Sequence, residues 1–549
     1  MPRLLIGPVL RHVGRTDATV WVETDGPCEV EVLGAREHTW CVAGHHYALV
    51  VIDGLSPGTT TPYEVRLDGE RAWPPLRTDR PASAIRTQGG TGDRRPLRIA
   101  FGSCRYGRAA ATLTDKHFTP DALAAFARRM TREDPAEWPD TMIMLGDQVY
   151  ADETSNATRR RISARRDITT GSGDQVADFE EYTWLYLESW TDPDVRWLLS
   201  CVPTAMIFDD HDVRDDWNTS HSWRADMKRT SWWQDRIEGG LASYWVYQHL
   251  GNLSPSELAE DELYQTVRGC GTDAEALLRE FAAAADQEAD GAKGARWSFR
   301  RDFPGARLLV IDSRCGRILA DGRRSMVSDD EFAWIVEQTK GTYDHLLVGT
   351  SLPWLLPRAL HDLEAWNEAL ASGARGRRRA RWSEKLRRAA DLEHWAAFRR
   401  SFEALAELLR SVAGRPDAPA SICVLSGDVH HAYAAEASWP EPVRSRVFQL
   451  TCSPLHNFVP PAMRVTFRVA WGAPARRFTR SLLRMVGPVP EPSLSWQRSC
   501  GPLFGNEIAT LLLDGRSGEM VLERSTPAGD RRELIEVARL PVTHEKMAE

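Results

Sequence analysis

The sequence has no Cys-x-x-Cys pair, no surplus of positive charge, and no apolar run near the roughly 18 residues that a membrane-spanning helix needs. Each absence removes a class of function. The nine cysteines are scattered and odd in number. That excludes a disulfide framework and suits a reducing compartment. The N-terminus, Met1 to Gly7, carries too little apolar sequence for a signal peptide, so a cytoplasmic protein is expected. Against 69 Lys and Arg stand 77 Asp and Glu, a net charge of −8. A chain of that balance offers no electrostatic case for nucleic acid as a partner. At 549 residues it is too long for one simple core, and two or more domains are expected.

What is present is a set of four polar clusters, each just past a short apolar run. Gly102-Ser103-Cys104 follows Leu97 to Phe101, and Gly146-Asp147-Gln148-Val149-Tyr150 follows Met142 to Leu145. Asp209-Asp210-His211-Asp212 follows Ala205 to Phe208, and Ser426-Gly427-Asp428-Val429-His430 follows Ile422 to Leu425. A continuous apolar run is the mark of a strand covered on both faces. Ligands of such sheets gather at the carboxyl ends of the strands. The four clusters therefore read as the rim of one active site.

The residue types point to a metal. Asp147, Asp210 and Asp428 offer hard oxygens, His430 an imidazole, Tyr150 a phenolate and Cys104 a thiolate. A mixed O/N/S set argues for at least one transition metal. Two ions about 3.5–4 Å apart can clamp the attacking and leaving oxygens of a phosphoryl displacement, and a bound water loses its proton near neutral pH. His211, beside a candidate ligand, can donate to the leaving oxygen or bind phosphate. Other readings stand beside these. An Asp ending a strand is often a cap or turn former, and a Cys there is often a small buried apolar residue. Arg105 can hold phosphate in its planar fork or form an ion pair. Arg314, after Asp312, reads as an ion pair under the site. Asp209, Asp212 and His431 stay outside the ligand set.

With these residues the chain resembles the PhoD-like alkaline phosphatases of the metallophosphoesterase superfamily. The matching segments are FGSCRYG, MLGDQVYAD, IFDDHDVRDDWN and LSGDVHHAY, with weaker matches at VIDSRCGR, VGTSLPWLL and EHWAAFRRSFEALAELL. They follow the family's order over about residues 97 to 515. The resemblance implies an α/β fold with a layered α/β/β/α core, and hydrolysis of phosphate mono- or diesters. It implies a ferric iron with calcium, Zn2+ or Mn2+ being the alternatives. The implied ligands are Cys104, Asp147, Tyr150, Asp210, Asp428 and His430; His211 and Arg105, from their places beside those ligands, are the catalytic candidates. Between His211 and Asp428 the sequence offers no obvious lone ligand histidine. A phospholipase D-like diesterase acting on an anionic lipid or polymer is the alternative activity. A silent scaffold retaining the fold is another, against which the intact ligand set speaks.

Along the chain, residues 1–80 alternate apolar and polar residues in short segments and read as a fibronectin III-like β-sandwich. Residues 81–95 read as a linker, 96–525 as the catalytic domain with helical insertions at about 153–200 and 221–300, and 526–549 as a tail. Thr119 is expected to cap a helix whose first turn holds Pro120. Arginine-rich stretches at Arg375 to Arg388 and Arg464 to Arg484 include Trp471, Phe478, Leu482 and Leu483. Such a pattern is a solvated helix face, a loop, or a peripheral contact with an anionic surface. A monomer acting on a phosphate ester, without a membrane span, is the expected assembly.

Overall fold

The computed structural model describes residues 1–90, 95–107, 119–292, 294–319, 324–373, 375–528 and 531–544. The N-terminal region carries β1 (Leu4–Val13), β2 (Ala18–Thr24), β3 (Glu29–Val32), β4 (Ala35–His38), β5 (Trp40–Val42), β6 (His45–Ile52), β7 (Thr60–Pro62), β8 (Val65–Leu67), β9 (Glu70–Trp73) and β10 (Ala84–Arg86). Two four-stranded sheets, in the orders β1-β2-β6-β5 and β4-β3-β8-β9, enclose a core that includes Val20, Val22, Val30, Val50 and Leu67. The alternation that marks strands has a second use here. Trp21, Tyr47 and Leu49 leave the opposite face of the first sheet and join the core of the catalytic region. Arg11, fully buried, fixes this junction by donating to the carbonyl oxygens of Thr204 (3.0 Å), Tyr247 (2.6 Å) and Gln248 (2.5 Å). The stretch expected as a linker contains β10, which pairs with β7.

The catalytic region follows with β11 (Leu97–Gly102), β12 (Thr141–Leu145), β13 (Thr204–Ile207), β14 (Phe299–Phe303), β15 (Ala306–Ile311), β16 (His345–Thr350), β17 (Ser421–Ser426), β18 (Ala432–Ser438), β19 (Arg446–Thr451), β20 (Ser495–Leu503), β21 (Glu507–Asp514), β22 (Ser517–Ala528) and β23 (Arg531–Pro541). They form a six-stranded sheet, β13-β12-β11-β21-β22-β23, and a seven-stranded sheet, β14-β15-β16-β17-β19-β18-β20. β11, β12 and β13 run parallel, as do β15, β16, β17 and β19. The sheets pack face to face: a Cβ on Gly349 of β16 would lie 3.2 Å from the Leu145 side chain of β12. Helices cover the outer faces, Ala122–Met130 on one and Arg399–Ala413 on the other. The expected layered α/β/β/α core is the observed one.

Two local expectations are corrected. Residues 526–549 are not simply a tail, because β23 pairs antiparallel along the edge of β22. Its Leu534, Val537 and Leu540 rest against the main core, enough apolar contact to hold an edge strand. The helix at Ala122 is capped by Asp121, not Thr119: the Asp121 carboxylate accepts from the Leu123 and Ala124 amides. Helices do occupy both expected insertions, at Asn156–Arg165, Phe179–Trp190, Pro193–Cys201, His221–Met227, Trp233–Tyr244, Pro255–Glu260, Glu262–Gly269 and Glu275–Asp286.

Candidate metal centre

β11, β12 and β13 of one sheet and β17 of the other end at the same place, and their four following loops meet there. Backbone hydrogen bonds lace them together. The Cys104 and Arg105 amides donate to the carbonyls of Gly146 and Asp147 at 3.1 and 3.0 Å, and the Asp428 amide donates to Ser103 Oγ at 3.2 Å, while the Gly427 amide ties the β17 loop to Ser351 O after β16 at 2.9 Å. Gly427 permits the closest approach: a Cβ there would lie 2.0 Å from Ser103 Oγ and 2.9 Å from Leu145 O. Asp212 ties the loops further, its Oδ2 accepting from the amides of Asp147 (3.0 Å) and Asp209 (2.9 Å).

The tight loops force unusual backbone. Cys104, Asp147, Asp216, Asn218, Asp428 and His430 all have φ between 50° and 66°. Asp and Asn adopt this region at modest cost, whereas Cys and His do so rarely. Left-handed non-glycine residues gather where surrounding structure over-determines them, which is common at functional sites.

The left-handed turns aim side chains at one another. One ligand atom each from Cys104, Asp147 and His430 lie within 4.8 Å of each other, and the same holds for Asp147, Asp209 and Asp210. Asp147 thus belongs to both groups. Its Oδ1 is buried without a hydrogen-bond partner. Tyr150 Oη lies 3.5 Å from Asp147 Oδ2 and accepts from Asn457 Nδ2 at 2.8 Å. Asp428 accepts from His394 Nε2 at 3.0 Å, and its amide donates to Ser103 Oγ at 3.2 Å.

Electrostatics give this arrangement its meaning. Burial, and then neighbouring carboxylates, push the Cys104 thiol and the Tyr150 phenol well above their ordinary values. Burial raises the Asp147 and Asp210 carboxyls in the same direction. His430 is driven down to about 4, chiefly by burial, leaving a neutral imidazole. Acids crowded together without enough cations, beside a neutral imidazole, form a donor set that a metal ion would satisfy. The orphaned Asp147 oxygen fits that reading, and so does the mixed O/N/S chemistry.

The charge below the site is partly offset by Arg314, as expected from the sequence. It is fully buried, contacts Asp209 and Glu393, and lies 3.3 Å from Asp210 and 3.6 Å from Asp428. His211 sits at the rim of a cavity of about 300 Å³ lined also by Asp147, Asp210, His394, Asp428 and His430. Its Nδ1 meets Asp152 Oδ1 at 2.9 Å, and its ring lies against Tyr150 at 4.7 Å. Burial opposes charge on His211, but Asp152 and Asp210 outweigh it and raise its pKa well above the ordinary value. Arg105 is directed elsewhere. Its guanidinium binds Asp121 (3.0 Å) and the Ser189 carbonyl (2.8 Å), and it is not among the described residues lining the cavity. Of the two sequence readings for Arg105, the ion pair is the observed contact, and it is buried rather than at the surface.

Sequence reasoning missed four participants: Asp152 behind His211, Asn457 on Tyr150, and the pair Glu364 and His394. His394 Nδ1 meets Glu364 Oε1 at 2.7 Å while its Nε2 holds Asp428. It is the histidine between His211 and Asp428 that the sequence did not single out. The weak match EHWAAFRRSFEALAELL contained it, but nothing in its spacing separated it from a helix cap.

No curated protein sequence matches the chain. A solved structure of PhoD aligns over 97% of this chain and 88% of its own length, with a TM-score of 0.58 at 12% identity, a likeness of fold. Residues 1–85 match a domain of unknown function (DUF7800). The family model for PhoD-like phosphatase matches residues 116–468, more than half of the sequence, and the chain belongs to that family.

Proposed function

We propose that the chain is a metal-dependent hydrolase of phosphate mono- or diesters, acting at the cleft bounded by Asp147, Asp210, His211, Asp428 and His430. The observation that carries this reading is the Cys104–Asp147–His430 cluster, which shares Asp147 with the Asp209–Asp210 pair. Cys104, Tyr150, Asp147 and His430 would hold a transition metal, ferric iron being the best match to thiolate and phenolate together. Asp147, Asp210 and Asp428 would hold a harder ion such as calcium. Bound there, the metals supply Lewis acidity, making a water acidic enough to act as nucleophile near neutral pH and offsetting charge on phosphoryl oxygens.

The chain's own residues do the rest. Asp152 fixes the His211 ring through Nδ1, which leaves Nε2 to place a proton on the leaving oxygen or on a phosphoryl oxygen. Glu364 holds His394, and His394 holds Asp428 in the orientation its ligand role requires. Asn457 orients the Tyr150 phenol. Arg314 keeps the crowded carboxylates from expelling one another, and Arg105 braces the Cys104 loop from Asp121 and Ser189. Leu356, Leu360, Val459, Met463 and Phe467 give the cleft an apolar part of its lining. That apolar lining favours an ester carrying an apolar group, so a diester of that kind is the second substrate reading. The test is hydrolysis of a chromogenic phosphate monoester and the matching diester, with iron and calcium supplied and then chelated. Turnover of at least one ester, lost on chelation, supports the proposal; metal-loaded protein inert to both contradicts it.

A further inference from the structure

The surface beside the cleft has an unusual composition. Among the described residues thirteen large apolar side chains are exposed, and eight of them lie on three neighbouring helices, Arg377–Ala389, Pro461–Ala470 and Ala473–Val486. Phe478, Leu482 and Met485, at spacing i, i+4, i+7, form one outward stripe, with Phe478 66% and Met485 75% exposed. Val465 and Val469, 59% and 58% exposed, form a second on the preceding helix. An ordinary surface helix turns such a stripe inward.

Charge accompanies it. Residues 460–488 contain six arginines and no acidic residue; Arg476, Arg480 and Arg484 pair with Asp362 or Glu491, while Arg468 and Arg477 are exposed. The third helix adds exposed Arg377, Arg378, Arg381 and Lys385 beside Trp382, which is 52% exposed. The helices form one surface. Arg379 donates to the Val486 carbonyl at 3.3 Å, and Trp366 of the helix Arg358–Ala371 meets Trp382 at 6.0 Å while packing with Leu483. The same helix that shows Val465 and Val469 to solvent presents Met463, Thr466 and Phe467 to the cleft.

We propose that these three helices are an interfacial docking surface for an anionic lipid bilayer, seating the mouth of the cleft against the lipid surface. Apolar stripes flanked by exposed arginines match a layer of apolar chains under anionic headgroups. No described helix is long and apolar enough to cross a membrane, so the contact lies in the interface. The docking does not depend on the phosphoesterase reading, because neither outward stripe contributes a candidate metal ligand.

Sedimentation of the full chain with vesicles of phosphatidylcholine, alone or with phosphatidylglycerol, tests it. Binding to the anionic vesicles should exceed binding to the neutral ones. It should fall at least about tenfold in Arg378→Glu/Arg477→Glu, which reverses two charges, and fall as far in Phe478→Ser/Leu482→Ser/Met485→Ser. Thermal melts and sedimentation velocity on the same variants separate docking from misfolding and from self-association. No sedimentation with either vesicle, binding unchanged in both variants, or a wild-type dimer that the serine variant dissolves without any vesicle binding would each overturn the proposal.

Discussion

Replacing Arg314 with Met tests the electrostatic account of the site at its base. The guanidinium contacts Asp209 and Glu393 directly and lies within 3.6 Å of Asp210 and Asp428. Arg314 and Asp209 have no exposed side-chain surface, and Glu393 has almost none. Each unit-charge contact near 4 Å is worth about 4 kcal/mol at an effective dielectric of 20, most of it consumed by desolvation. What survives is the asymmetry: removing one partner of a buried pair costs about 3–5 kcal/mol because the other charge stays buried. Arg314 serves two such partners, so Arg314→Met should cost at least about 5 kcal/mol, the lower end of the whole stability of a typical domain. Arg314→Lys keeps a charge without the fork and should lose about half as much. Urea titration followed by tryptophan fluorescence reads the loss as an earlier midpoint. Asp209→Asn should cost less in the Met background than alone, because the two side chains share one interaction. An Arg314→Met midpoint equal to wild type would refute the reasoning.

Three further outcomes follow from the same structure. His361 is buried between Phe402 and Trp496, and burial together with Arg358, Arg476 and Arg480 lowers its pKa to about 3. The unfolded chain therefore takes that proton first, and stability present above the unfolded value of about 6.5 is lost as pH falls, by about 1.4 kcal/mol per unit. His361→Leu should lose about 2–3 kcal/mol less than wild type between pH 6 and 4; equal acid sensitivity in urea titrations at the two pH values contradicts the burial argument. Asp212→Asn turns its NH2 either on the Asp147 and Asp209 amides, which share Oδ2, or on the Val149 amide and Gln248 Nε2, which share Oδ1, costing about 1–3 kcal/mol and lowering metal content by elemental analysis; unchanged occupancy would remove Asp212 from the support of the site. Iron-loaded protein should show a visible phenolate-to-iron band that Tyr150→Phe abolishes, and a band that survives the substitution excludes Tyr150 as a ligand.

The readable parts of this protein were those that short-range pattern controls. β11, β12, β13 and β17 were legible because strands buried on both faces must be continuous apolar runs, as in Met142 to Leu145 and Ile422 to Leu425. The polar residues ending those runs fell at one rim because parallel strands share a carboxyl end. Partnership across the fold was not legible. Glu364 and His394 lie 30 residues apart and meet only after the chain has passed through a helix and a loop. Asp152 and Asn457 are ordinary polar residues until packing turns them toward His211 and Tyr150. Arg105 went the other way: its place beside Cys104 suggested phosphate, yet Asp121 was near enough to take two of its three guanidinium nitrogens. β23 escaped notice because Arg531 to Pro541 alternates weakly and gains its apolar contacts only against an existing edge.

The most direct test of the central claim joins metal content and turnover in one preparation. Wild type and Asp147→Ala, purified side by side and supplied with iron and calcium, are measured by elemental analysis and by hydrolysis of the chromogenic monoester and diester. Asp147 belongs to both ligand groups, so the account predicts that the variant loses bound metal and hydrolysis together while still unfolding cooperatively, at a lower temperature because the stabilising metal is gone. Full metal content with full turnover in Asp147→Ala would contradict it.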